Sequence, residues 1–159
     1  MRKFINLVEA IDNDKIINDI IDYLSFNGHD ISKQDARSAL EDIEYLSFLD
    51  NISIYRIMRL ESKIVKDLKP LYYLGIYWSE DENIPKGELN DDGHHDWYTF
   101  KAVIKSDCIN YAETAGTRIL FPEEKEIRIK HGKKMKLLSI KNDQSEIIRP
   151  DLYQKIFKA

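Results

Sequence analysis

Apolar residues in the first fifty positions recur at helical spacing. Phe4, Leu7, Val8 and Ile11 form one set, and Ile16, Ile17, Ile20, Ile21 and Leu24 a second. Each set lines one side of a helix. Gly28 supplies a stop after the second helix. Ser32-Lys-Gln-Asp35 resembles a capping box. It opens a third helix whose buried face carries Ala36, Ala39, Leu40, Ile43, Leu46 and Leu49, and Asp50-Asn51 ends it.

From residue 51 the period changes to two, the signature of a strand, across Asn51-Ile-Ser-Ile-Tyr-Arg-Ile-Met-Arg-Leu60. Residues 60 to 70 read as a short helix or irregular connection closed by Pro70. Leu71 to Trp78 is aromatic and β-prone, and an acidic, turn-rich loop follows from Ser79 to Asp96. Trp97 to Lys105 is a strand, and residues 110 to 124 read as a polar loop containing Gly116 and Pro122. Lys125 to Lys130 and Lys134 to Ile140 are expected to pair as a hairpin around His131-Gly132. Helices first and strands second is the pattern of an α+β domain.

Composition narrows the function classes. A length of 159 residues suits one domain, and 43% hydrophobic residues supply a core. No run approaches the roughly 18 apolar residues of a membrane span, and Glu9 and Asp12 interrupt the apolar stretch that a signal peptide would need. The expectation is a cytoplasmic protein without a membrane partner. The formal charge of −4 disfavours nucleic acid, which is captured by a clustered basic footprint. Cys108 is the single cysteine, so neither an intrachain disulfide nor a thiolate metal cluster is available. It is expected to be a buried strand residue. His94-His95 beside Asp91, Asp92 and Asp96 fits an exposed loop better than a metal site.

Three places invite chemistry. Arg56 shares a strand face with Ile52, Ile54, Met58 and Leu60. A guanidinium in an apolar row needs either a carboxylate inside the fold or a bound anion such as phosphate. If a strand begins near Glu124, Glu124 and Glu126 lie on one face while Ile127 and Ile129 turn to the core. Such a carboxylate pair divides labour in some enzymes and is merely a solvated edge in others. Ser79 ends the aromatic run Gly75-Ile-Tyr-Trp78 where a turn begins. Tyr55, Tyr77 and Trp78 are either core residues or platforms for a planar ligand.

Together, Ile54-Tyr-Arg56, Leu74-Gly-Ile-Tyr-Trp-Ser79 and Glu124-Lys-Glu-Ile127 resemble the mono-ADP-ribosyltransferases of the arginine–serine–glutamate clade. The likeness covers residues 51 to 141. It departs at the serine motif, commonly Ser-Thr-Ser in that family, because Glu80 and Asp81 follow Ser79. The resemblance implies a transferase-like domain over 51–159 with a mixed or antiparallel β core. The helical segment over 1–50 lies outside it, and the two are expected to form one compact unit.

It also implies NAD as substrate, no metal, and transfer of ADP-ribose to a target macromolecule, a protein with arginine favoured as acceptor. In that scheme Glu126 stabilises the oxocarbenium-like transition state. Ser79 orients Glu126, and Glu124 steers or deprotonates the acceptor. Arg56 holds the NAD phosphates with Tyr55, Tyr77 and Trp78 alongside, and Phe121 with the loop from Glu113 to Glu123 recognises the target. Small size fits a bacterial or phage effector. The competing reading is a non-catalytic binding protein of the same fold, an inhibitor or antitoxin-type partner, contacting through residues 80–96 and the N-terminal helices.

Overall fold

The computed structural model describes residues 2–61, 75–83, 95–142 and 156–158. The expected connection over 62–70 and the tract over 71–74 lie outside them, as does His94.

Helix α1 runs without a break over Arg2–Phe26, so the two apolar sets belong to one helix and not to two. The polar link Asp12-Asn-Asp-Lys15 contains neither Gly nor Pro, and nothing in it interrupts the backbone ladder. The helix ends at a Schellman cap. His29 N–H donates to Leu24 O at 2.8 Å and Gly28 N–H to Ser25 O at 3.0 Å, with Gly28 at φ 82°, a conformation that only glycine adopts cheaply. Helix α2, Lys33–Ile43, opens as expected with Ser32 Oγ accepting from Asp35 N–H at 3.1 Å. It buries Ala36, Leu40 and Ile43. A 3₁₀ turn over Glu44–Phe48 follows, burying Leu46 while Leu49 stays exposed.

Six strands are described: β1 Ile52–Glu61, β2 Tyr77–Ser79, β3 His95–Ile104, β4 Glu126–Arg128, β5 Lys134–Lys141 and β6 Ile156–Lys158. They form one sheet in the order β4-β2-β1-β3-β5-β6, with every adjacent pair antiparallel. The α+β class is therefore observed. The expected hairpin is not: β4 lies on one edge beside β2, whereas β5 lies beside β3. Physically, β4 closes the otherwise open edge of β2. The chain leaving β4 is held by an isolated bridge between Ile129 and Ile109 and by Lys130 N–H donating to Cys108 O at 2.8 Å. Cys108 is buried as expected, but in a 3₁₀ turn over Ser106–Cys108.

One sheet face carries the core. Ile52 and Ile54 of β1 join Trp78, Tyr98, Phe100, Ala102 and Ile127 there. Leu137 and Ile140 are three apart yet both fully buried. A register shift opposite Lys101/Ala102 makes this possible, because an inserted residue reverses the in–out parity. Ile17, Ile20 and Leu24 of α1 and the buried residues of α2 belong to the same apolar cluster. The helices therefore cover this face, and their burial is the dominant stabilising term.

A third helix, α3 over Tyr111–Leu120, replaces the polar loop expected for 110–124. Asn110 Oδ1 accepts from Glu113 N–H at 3.1 Å and starts it. Its small residues Thr114, Ala115, Gly116 and Thr117 are buried. Thr114 Oγ1 accepts from Arg128 N–H at 3.0 Å, and Arg118 Nε donates to Glu126 O at 3.1 Å. These bonds satisfy the outer edge of β4, which would otherwise offer a template for pairing with another chain. Among the described residues no helix is long and apolar enough to cross a membrane.

Candidate functional site

Strand register decides which of the predicted site residues meet. Ser79 pairs with Glu126 across β2–β4 and with Tyr55 across β2–β1, and Tyr55 pairs with Lys101. Residues paired across an antiparallel ladder share a face. Glu126, Ser79, Tyr55 and Lys101 therefore form one row on the face opposite the core. Lys101 Nζ stands 5.7 Å from the centre of the Tyr55 ring. Tyr77 lies on this side as well, paired with Arg128.

Arg56 does not join them. As the neighbour of Tyr55 in an extended strand, its side chain leaves from the opposite face. It reaches over the entry to β2, lies against Gly75, and donates from Nη1 to the Tyr77 carbonyl at 3.2 Å. Trp78 is on Arg56's side, 2% exposed, with Nε1 donating to Gly75 O at 3.0 Å. It is a core residue and not a platform for a ligand.

Ser79 and the late glutamates meet, though not as expected. Ser79 is 4% exposed. Its hydroxyl donates to Glu124 O at 2.7 Å and accepts from Asp81 N–H at 3.0 Å. It fastens one turn to another and makes no hydrogen bond to the Glu126 carboxylate. Glu124 sits in a 3₁₀ turn, Pro122–Glu124, and Lys125 follows in the left-handed region at φ 44°, so the strand begins only at Glu126. Glu124 is exposed in solvent and does not share a strand face with Glu126. A left-handed non-glycine residue costs roughly 1 kcal/mol, and the Ser79 bonds and the Glu80 N–H to Lys125 O contact at 3.2 Å hold it.

The Glu126 carboxylate turns to Arg128, Oε1 to Nε 3.2 Å, with both side chains about nine-tenths shielded (13% and 15% exposed). Nε lies off the line for a hydrogen bond, so the contact is chiefly coulombic. Glu113 of α3 adds a second carboxylate at 3.8 Å, and the guanidinium stacks 4.2 Å from the Tyr77 ring centre. Tyr23 of α1 borders this group. Burial raises its pKa above 10.0, opposed by Arg128 and reinforced by Glu113 and Glu126.

A second polar node was not legible in the sequence. Tyr45 Oη donates to both carboxylate oxygens of Glu80, at 2.5 and 2.7 Å. Arg118 Nη1 donates to Glu80 Oε1 at 2.9 Å and approaches Tyr45 Oη at 3.3 Å. Burial, then the bond to Glu80, raises the Tyr45 pKa above 10.0. The node joins residues 35 and 73 positions apart in the chain, a separation at which no local pattern signals a partner. Phe121, proposed from sequence to recognise a target, caps α3 and is 53% exposed.

Among the described residues no cluster of three or more His, Cys, Asp or Glu side chains could hold a metal ion. Comparison with protein-family models, with curated proteins and with solved structures finds no match.

Proposed function

We propose that this chain is a binding protein that engages a macromolecular partner through its surface and does not turn over NAD. One relationship carries the reading: Arg56 and the Ser79–Glu126 pair leave opposite faces of the sheet. A transferase needs its phosphate-holding guanidinium, its orienting hydroxyl and its charge-stabilising carboxylate aimed into one cleft, in near-attack geometry. Here the guanidinium caps a backbone carbonyl, the hydroxyl ties two turns, and the carboxylate pairs with Arg128. Each group has a structural occupation, and a protein partner requires none of them to be released.

The transferase reading retains one specific support. The strands bearing Glu126, Ser79 and Arg56 are neighbours in that order, although the chain reaches β4 last, and Ser79 directly opposes Glu126. On that reading NAD is the substrate and an arginine side chain the favoured acceptor.

Incubation of the purified chain with adenine-labelled NAD and a cell extract separates the two. The binding reading expects no label on any macromolecule and no nicotinamide release above buffer. Label transfer lost in Glu126→Gln, with unfolding of that variant unchanged, establishes the transferase instead.

A further inference from the structure

At one corner of the fold the Tyr45–Glu80–Arg118 node gathers three chain segments that are far apart in sequence. Residues 44–48 supply Tyr45 and residues 80–83 supply Glu80. Residues 121–125 are tied in by Glu80 N–H on Lys125 O and Ser79 Oγ on Glu124 O. Large apolar side chains in and beside these segments are partly or largely exposed: Tyr45 (43%), Phe48 (36%) and Leu49 (43%) in or just after the 3₁₀ turn, and Ile119 (37%) and Phe121 (53%) at the end of α3, whose Arg118 reaches Tyr45. Tyr45 and Phe48 lie three apart in a 3₁₀ turn, where such positions eclipse and form one ridge. Large apolar groups grouped in this way mark interaction surfaces, whereas isolated ones are ordinary.

The rim is acidic. Between Arg37 and Arg56 the chain carries Glu41, Asp42, Glu44 and Asp50 and no lysine or arginine. Asp81 and Glu82 follow the node, and Glu123 and Glu124 precede Lys125. Lys125 is the one cation in these three segments that the node leaves uncommitted. Lys105 borders the corner, donating to Asn51 Oδ1 at 2.9 Å. Arg118 is neutralised by Glu80.

We infer that this corner is the docking surface, and that its occupant is a lysine- and arginine-rich protein segment presenting apolar anchors. Charge complementarity selects that chemistry: carboxylates around an apolar centre steer a basic partner in and leave the anchors to hold it. A second copy of the same chain is disfavoured, because it would set two acidic rims against each other. The inference rests on the binding reading above and adds the site and the partner's chemistry.

The test uses the full chain and a fluorescent synthetic peptide of alternating leucine and lysine. Polylysine of equal length and a leucine–glutamate peptide serve as comparisons. The leucine–lysine peptide is expected to bind, at least about tenfold more tightly than polylysine, and the leucine–glutamate peptide is expected not to bind. Leu49→Ser with Phe121→Ser is expected to weaken binding about tenfold or more, and so is Glu123→Lys with Glu124→Lys. Both pairs are exposed, so unfolding curves should match the parent chain. Leucine–lysine binding that is absent, matched by polylysine, or undiminished in either double variant overturns the inference. So does a dimer in sedimentation that the Leu49→Ser, Phe121→Ser variant dissociates, since the corner then belongs to a second copy. Nicotinamide release by the same preparations overturns the binding reading instead, whichever way the peptide behaves.

Discussion

Arg56 and Ser79 stand on adjacent strands and on opposite faces of the sheet. Tyr55, not Arg56, is the residue paired with Ser79. The guanidinium serves the backbone at the start of β2, where it donates to Tyr77 O. Arg56→Ala should therefore lower stability by about 1 kcal/mol, read from denaturant unfolding, and should leave NAD affinity unaltered at its baseline. Loss of a measurable NAD affinity in this variant, with stability unchanged, contradicts the assignment.

Ser79 is buried and bonded on two sides, to Glu124 O and from Asp81 N–H. Ser79→Ala removes both bonds and strands a partly shielded carbonyl and amide, at an expected cost of about 1–2 kcal/mol. Equilibrium unfolding checks it. Ser79→Thr keeps the hydroxyl and should recover part of the loss. A stability-neutral alanine variant shows that the hydroxyl is not holding the Glu124–Lys125 turn.

The close approach of α1 and α3 depends on Gly116. A Cβ there would overlap the ring of Tyr23, a residue that borders the Arg128 group. Gly116→Ala should cost about 1–3 kcal/mol through overpacking, despite the better helix propensity of alanine. The penalty should shrink in a Tyr23→Ala background, because the two sites are in contact and their effects do not add. Additive effects within about 0.5 kcal/mol contradict the contact.

Tyr45 offers a pH test. Its pKa is raised in the fold by burial and by the bond to Glu80, so the folded state favours the neutral phenol. The resulting stabilisation is complete below pH 10.0, the unfolded value, and declines as pH rises through that value toward the folded one. Ultraviolet titration of the phenolate band should show a late-ionising tyrosine that Tyr45→Phe removes. The difference in stability between the two chains should narrow above pH 10.0. A phenol titrating at its ordinary value contradicts the node.

Local signals carried much of the fold. Ser32 and Asp35 form the expected N-cap, Gly28 the expected stop, and the period-two run from residue 51 the expected strand β1. The buried alternation of Ile127 and Ile129 was also legible. Helix α3 was missed because Gly116 and its polar neighbours dilute the apolar stripe. Asn110 with Glu113 three residues on was the available cue, a side-chain cap ahead of a short helix. The expected hairpin failed for a different reason. Strands do form in both tracts, β4 over Glu126–Arg128 and β5 over Lys134–Lys141, but strand partners depend on which edges the rest of the sheet leaves open, and that is not a local property.

For the candidate site, register was the missing quantity. The sequence names Ser79 and Glu126 and brings them into line, yet a one-residue offset sends Arg56 to the other face. Lys125 in the left-handed region breaks the alternation that would have aligned Glu124 with Glu126. The Tyr45–Glu80–Arg118 node joins three distant segments and could be found only in three dimensions.

Two-dimensional amide spectra of the isotope-labelled chain, titrated with NAD, address the central claim most directly. If the arginine, serine and glutamate strands do not enclose a dinucleotide cleft, the resonances of Tyr55, Arg56, Ser79 and Glu126 stay in place up to millimolar NAD. Saturable shifts shared by those four residues would contradict the account and restore the transferase.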